Sequence, residues 1–224
     1  NFTNNSTVST GSIISHYWDF DDGDTTATQS PSHQYAALGT YNVTLIVSTN
    51  NGCADTVINP VTIHPNPVAN FSVNDSDQCV NSNSFVFTNL STVPSSSNTN
   101  LWDFGSGLND TSTKANPTKV YTANGNYTVT LITTTNFGCA DTATKPMVVY
   151  AKPTPNFSIN DSDQCLRGNS FRFTNSSTIS PAVGLSYLWT LGQGASSTQT
   201  SPTRVYTADG TYNVRLVVTS IHGC

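Results

Sequence analysis

Apolar residues in this chain alternate with polar ones over short runs, and the runs recur. Tyr41, Val43, Leu45 and Val47 take every second place in one segment; Tyr127, Val129 and Leu131, then Tyr212, Val214 and Leu216, repeat the pattern. A period of two marks strands with one buried face. Each run follows a glycine (Gly39, Gly125, Gly210), a Pro-to-Tyr element and, further upstream, a tryptophan-led turn. The turns read Trp18-Asp19-Phe20-Asp21-Asp22-Gly23, Trp102-Asp103-Phe104-Gly105-Ser106-Gly107 and Trp189-Thr190-Leu191-Gly192-Gln193-Gly194. The tryptophans are spaced about 85 residues apart, too long a period for a solenoid unit, which implies three copies of one domain.

The pattern predicts strands at 13–20, 31–35, 41–49 and 57–63 in the first copy. The second has 68–73, 85–89, 101–104, 119–122, 127–135 and 147–150, and the third has matching strands through 188–191 and 212–219. Asn51-Gly52 is a hairpin signal. Asp21-Asp22-Gly23-Asp24 is a turn in which glycine takes a positive φ and the aspartates bond nearby backbone. Pro65-Asn66-Pro67 and Lys152-Pro153-Thr154-Pro155 read as short, stiff linkers. Asn1 to Thr7 matches the segments that begin at Phe87 and Phe173. The expected domains are therefore 1–66, lacking its first strand, 67–152, complete, and 153–224, lacking its last strand.

No segment has a helical period, so the fold class is all-β, with tandem antiparallel β-sandwiches in an elongated array. The expected structural core is Trp18, Tyr41, Val43 and Leu45; Trp102, Tyr127, Val129 and Leu131; and Trp189, Tyr212, Val214 and Leu216. Each tryptophan should lie between two sheets. An exposed aromatic platform for sugars would not explain its constant place relative to the glycine turn.

Charged residues make up only 9% of the chain and the net charge is −5, so there is no basic footprint for nucleic acid. No apolar run is long enough for a spanning helix. Of the four histidines, His16 and His64 have no counterpart in the other copies, His222 sits by the last cysteine, and His33 belongs to the Pro-to-Tyr element. No nucleophile elbow, zinc-protease helix or phosphate loop is present, so neither catalysis nor a cofactor is expected. Asp19, Asp21, Asp22 and Asp24 are calcium candidates by carboxylate clustering. Only Asp103 answers to them in the second copy and nothing does in the third, which favours turn chemistry.

Taken together, these elements resemble the PKD domain, an immunoglobulin-like sandwich. The Trp-Asp-Phe-Gly-Asp-Gly turn is nearly kept at 18–23, looser at 102–107 and decayed at 189–194; Lys119 and Arg204 replace His33. Asn-Gly-Cys-Ala-Asp-Thr after the long strand looks like the variant common in secreted proteins of Bacteroidetes-type bacteria. The resemblance implies a non-catalytic, extracellular or cell-surface structural or adhesive module, part of a stalk, adhesin or filament. The alternative is a spacer or carbohydrate-binding region of a secreted hydrolase. Expected partners are neighbouring repeats, other copies in a filament, and surface glycans or proteins. Thr25, Thr56 and Thr142 follow aspartates in triplets like those O-glycosylated in that group.

Cysteines at 53, 79, 139, 165 and 224 recur with the repeats. Their wide spacing does not suit zinc, and an oxidising compartment favours disulfides. Cys79–Cys139 and Cys165–Cys224 within repeats is the simplest count, with the partner of Cys53 upstream. The sandwich topology places those positions toward opposite ends, about 20 Å apart, whereas a disulfide needs Cα atoms within about 7 Å. Cys79–Cys224 between neighbours, and reduced or intermolecular thiols, remain alternatives.

Overall fold

The computed structural model describes residues 1–94 and 97–224, which form eighteen strands and no helix. No helix among these residues is long and apolar enough to cross a membrane. The chain divides into two compact units. The first contains Asn1–Pro67, Val93–Asn98 and Thr134–Asp141, and the second contains the rest.

In the first unit, β1 (Ile13–Asp19), β2 (Thr25–Thr26), β3 (Gly39–Thr49) and β4 (Ala54–Ile63) form one sheet in the order β2-β1-β3-β4. Trp18 lies opposite Leu45 in the register of β1 with β3. Trp18, Phe20, Val43 and Leu45 are buried, and Phe2, Tyr35, Val47 and Val61 pack around them. The expected strand at 31–35 is absent. Its counterparts in the later repeats, β10 and β17 below, each pair with a full strand. Here the opposing chain at 1–7 carries no ladder, and Phe2 N–H donating to the Pro31 carbonyl (2.8 Å) is the main link.

The second unit begins with β5 (Phe71–Val73), β6 (Asp77–Cys79) and β7 (Phe85–Asn89), followed by β8 (Asn98–Asp103), β9 (Thr111–Ser112) and β10 (Thr118–Lys119). β11 (Gly125–Thr135) and β12 (Ala140–Tyr150) make a long hairpin whose tip groups with the first unit. A three-stranded sheet, β10-β7-β5, faces a five-stranded one, β6-β12-β11-β8-β9. The β6–β12 pairing is parallel, an exception to the expected antiparallel pattern. Trp102 is fully buried, with its ring edge-on to Phe71 at 5.1 Å and tilted against Phe87 at 5.6 Å. Its indole N–H donates to the Lys114 carbonyl (3.0 Å), so the one polar atom of the ring is satisfied.

The third repeat uses β13 (Phe157–Ile159), β14 (Phe171–Asn175), β15 (Leu185–Thr190), β16 (Ser196–Ser197), β17 (Thr203–Arg204) and β18 (Arg215–Ser220). Its sheets are β13-β14-β17 and β16-β15-β18. Trp189 repeats the arrangement of Trp102, with Phe157 at 5.1 Å, Phe173 at 5.8 Å and the Gln199 carbonyl accepting its N–H at 2.9 Å.

Two expectations need correction. Tyr41, Tyr127, Tyr212 and Val214 are half-buried and not central. Each of these tyrosines stacks on the Pro-to-Tyr tyrosine (Tyr35, Tyr121, Tyr206) at about 4 Å centroid separation. Each donates its hydroxyl to the carbonyl four residues earlier, at Ala37, Ala123 or Ala208, which keeps the ring at the rim. The last long strand also starts late, at Arg215. In the first repeat, β1 reaches only Thr44, and residues Gly39 to Val43 are held by β4 alone. No strand occupies the β4 side of β18 among the described residues, so 210–214 carry no ladder.

Glycine is required at position 105. Its φ is +68°, and a Cβ there would sit 2.5 Å from the Thr128 carbonyl oxygen. Gly168 has φ +84° with open space beside it. Gly168→Ala should therefore lose only the left-handed cost, about 1–2 kcal/mol. Gly105→Ala should lose distinctly more, because a backbone carbonyl must also move. Urea unfolding of the two variants checks the order, and equal losses would contradict it.

Candidate functional site

The acidic turn of the first repeat spends two of its four carboxylates on its own backbone. Asp19 Oδ1 accepts from Asp21 N–H (2.9 Å), and Asp22 Oδ1 accepts from Asp24 N–H (3.2 Å). Asp21 sits at φ 62°, in the left-handed region, and its Oδ2 accepts from Asn42 N–H at 2.8 Å. The structure therefore does not gather the four aspartates. It brings Asp22 and Asp24 together with His33, with ligand atoms within 4.8 Å of one another. One imidazole with two carboxylates is a poor match to the all-oxygen shell calcium takes. His33 Nε2 already lies 2.7 Å from Asp22 Oδ2, and its ring stacks on Phe20 at 4.1 Å.

The same place in the other repeats holds an organic cation. Lys119 Nζ pairs with Asp110 at 2.7 Å and lies over the rings of Phe104 and Tyr121. Arg204 lies over Tyr206 and reaches Gln193. A cationic or imidazole side chain that closes the turn onto the aromatic core is the common feature, and it gives His33 a structural role. Burial pushes the Tyr121 hydroxyl well above the ordinary tyrosine range, and that hydroxyl donates to the Phe104 carbonyl at 2.8 Å.

Thr25, Thr56 and Thr142 are all exposed, on β2, β4 and β12.

The cysteines form a joint. Cys79, at the end of β6, is bonded to Cys224, with Cα atoms 5.5 Å apart across a sequence separation of 145. Cys53 and Cys165 are free and exposed, and Cys139 is free and half-buried. Pairing within repeats is therefore corrected. Cys79 sits beside Tyr150 at one end of β12, and Cys139 precedes the other end. Eleven residues of strand separate them by roughly 35 Å, far beyond disulfide reach.

Next to the bond, the His222 ring stacks on Tyr150 at 3.7 Å and 5°. In the first unit Phe137, at the hairpin tip, stacks on His64 at 3.5 Å and 4°. These ring pairs escaped the sequence reading. The signal was a ring two residues before a hairpin cysteine, together with a ring closing the previous repeat's last strand. The differing residue types, Phe and His against His and Tyr, hid it.

The sheets and their tryptophan cores define tandem immunoglobulin-like β-sandwich modules. The chain belongs to the PKD-domain family, whose description matches residues 1–63, 64–149 and 150–224. It is 42% identical over 59 residues to a microbial collagenase of Vibrio alginolyticus, which covers 26% of this chain and 7% of that protein. Against the pre-pro-metalloprotease PrtV of Vibrio cholerae it is 42% identical over 53 residues, 24% of this chain and 6% of that one. The chain thus spans well under a tenth of the length of these relatives. Among solved structures, the PKD1 domain of PrtV is 36% identical with a TM-score of 0.33, covering 38% of this chain and 98% of that one. A tetra-tandem repeat from the extending region of a large adhesion protein is 14% identical with a TM-score of 0.33, over 95% of this chain and 64% of that one.

Asp22 is held below the ordinary carboxylate value of 3.8, first by the hydrogen bond from His33. A carboxyl lowered in the folded state adds stability that is complete above its unfolded pKa and is lost as pH falls through the folded one. His33→Ala should move the Asp22 titration, followed by NMR, back up toward the ordinary value. An unchanged midpoint would contradict the pairing.

Proposed function

We propose that this chain is a non-catalytic, extracellular structural segment of a cell-surface stalk, adhesin or filament, built of tandem PKD domains at 1–66, 67–152 and 153–224. The observation that carries this reading is the Cys79–Cys224 bond, reinforced by the Tyr150–His222 stack. A covalent link from one sandwich to the next makes the pair resist separation under load. Such a bond also belongs in an oxidising compartment. The low charge and Ser/Thr/Asn-rich surface fit the same location, and Thr25, Thr56 and Thr142 are open to O-glycosylation. The expected partners are neighbouring repeats and other copies, with surface glycans or proteins as targets of an adhesin.

A second reading makes the chain a spacer or carbohydrate-binding region of a secreted hydrolase. Its support is the similarity to parts of a collagenase and a metalloprotease. A Bacteroidetes-type origin rests on the Asn-Gly-Cys-Ala-Asp-Thr variant alone, since the relatives named above are from Vibrio.

Pulling single molecules by their termini separates the load-bearing role from a passive one. The bond spans 145 residues, so it should keep up to about 500 Å of extended chain from being released. The oxidised chain should lengthen by that much less than the reduced chain. Equal lengthening would refute the load-bearing reading, and saturable retention on insoluble collagen or polysaccharide would favour the second reading.

A further inference from the structure

The tryptophan turn of the third repeat keeps its cation but lacks every carboxylate that its sisters set against one. Where the first repeat has Asp19, Asp22 and Asp24, the second has Asp103, Ser106 and Asp110, and the third has Thr190, Gln193 and Ala195. One shared bond aligns the three turns: Phe20 N–H donates to the Asp24 carbonyl, Phe104 N–H to that of Asp110 and Leu191 N–H to that of Ala195. His33 and Lys119 each pair with a turn carboxylate at 2.7 Å. Arg204, at the same place, meets the neutral amide of Gln193, Nη2 to Oε1 at 3.5 Å, and the ring of Tyr206. Residues 164–208 include Arg167, Arg172 and Arg204 and no acidic residue.

Donors at this turn are left without an acceptor. Arg204 Nε is buried and has no hydrogen-bond partner among the described residues. Gly192 N–H has none among them either. At the same step, Asp21 N–H and Gly105 N–H are taken by Asp19 Oδ1 (2.9 Å) and Asp103 Oδ1 (2.8 Å). Arg215, exposed and directly across from Thr190 in the register of β15 with β18, adds a second guanidinium, where the first repeat has Thr44 across from Asp19. Burial pushes the hydroxyls of Tyr35, Tyr121 and Tyr206 up alike. The next influence is a carboxylate that raises the first two, Asp22 or Asp110, whereas Arg204 pulls the third down. The field at the third turn is thus reversed in sign. A following sandwich does not cover this place: the matching turn of the second repeat stays open, with Leu108 98% exposed, although the third repeat is bonded to Cys79.

We propose that the turn at 190–195, with Arg204 and Arg215, binds a carboxylate side chain presented by an acidic peptide segment of a partner protein. The Nε and Nη hydrogens of a guanidinium form a fork that matches the two oxygens of a carboxylate. Gln193 is exposed and held at the limit of hydrogen-bond distance, so it is the side chain that gives way. The incoming group does for Arg204 and the Gly192 N–H what Asp22, Asp110 and Asp103 do for their own turns. Those turns are the template for the ligand, an aspartate on a short loop, which favours a peptide over an acidic sugar. Arg215 adds attraction toward a segment of negative charge. The inference names a partner class for the adhesive reading and rests on it. The pulling experiment reads the Cys79–Cys224 bond and touches none of these residues, so the two fail separately.

The test is an NMR titration of the whole isotope-labelled chain with a blocked Gly-Asp-Asp-Gly peptide. The amides of Gly192 and Gln193 and the Arg204 Nε–H should shift saturably, in the millimolar range expected of an exposed ion pair. The response should weaken as salt rises, and a Gly-Asn-Asn-Gly peptide should not produce it. Arg204→Gln should cut the affinity about tenfold, the loss of one charge-assisted pair, and Arg215→Gln should cut it by less. Ala195→Asp supplies the chain's own carboxylate, as Asp110 does in the second repeat, and should abolish binding by competition. Circular dichroism of each variant confirms that it is folded. The proposal is overturned if those resonances do not saturate, if the asparagine peptide acts equally, or if binding survives Ala195→Asp. Tighter binding of galacturonate than of the peptide overturns it as well, by assigning the site to an acidic glycan.

Discussion

Each repeat is built on an indole placed out of water between two layers of extended chain. Fully burying a large apolar side chain stabilises by about 1.5–3 kcal/mol, and a tryptophan adds a polar N–H that must find an acceptor. The second and third repeats meet both demands: Trp102 and Trp189 are fully buried, flanked by two phenylalanines and bonded to a backbone carbonyl. In the first repeat the buried Trp18 N–H and the buried Tyr35 hydroxyl have no hydrogen-bond partner among the described residues. The same sequence pattern therefore gives a looser core where the facing layer carries no ladder.

The strand order around that indole sets what reaches the ends of the sandwich. With Trp102 on β8, next to the short edge strand β9 of the five-stranded sheet, β11 and β12 lie on the other side and β6 pairs with the far half of β12. That parallel pairing brings Cys79 beside Tyr150, where the His222-Gly223-Cys224 tip meets them both. A packing constraint inside one sandwich thus becomes a geometry for linking sandwiches. No reactive centre is needed for this, and the titratable groups of the tryptophan turn serve to close it onto the core.

The repeat, the tryptophan positions and the long alternating strands were legible because they follow from local periodicity and spacing. Residues whose role depends on a non-local neighbour were not. The half-burial of Tyr41, Tyr127 and Tyr212 depends on a carbonyl four residues back and a second tyrosine that period two cannot show. The missing strand at 31–35 and the late start of β18 both reflect an absent partner strand, while the residues themselves are good strand formers. His33 joined Asp22 and Asp24 only once the turn had folded. Cysteine spacing carries no direction, so the pairing became clear only when β12 placed Cys79 and Cys139 at opposite ends.

The structural reading thus rests on which cysteines are joined. Peptide mapping of the freshly purified, unreduced monomer, with free thiols alkylated before digestion, measures this most directly. The expected result is the Cys79 peptide linked to the Cys224 peptide, with Cys53, Cys139 and Cys165 all alkylated. A Cys79–Cys139 or Cys165–Cys224 link would contradict the joint and leave the sandwiches tethered by their linkers alone.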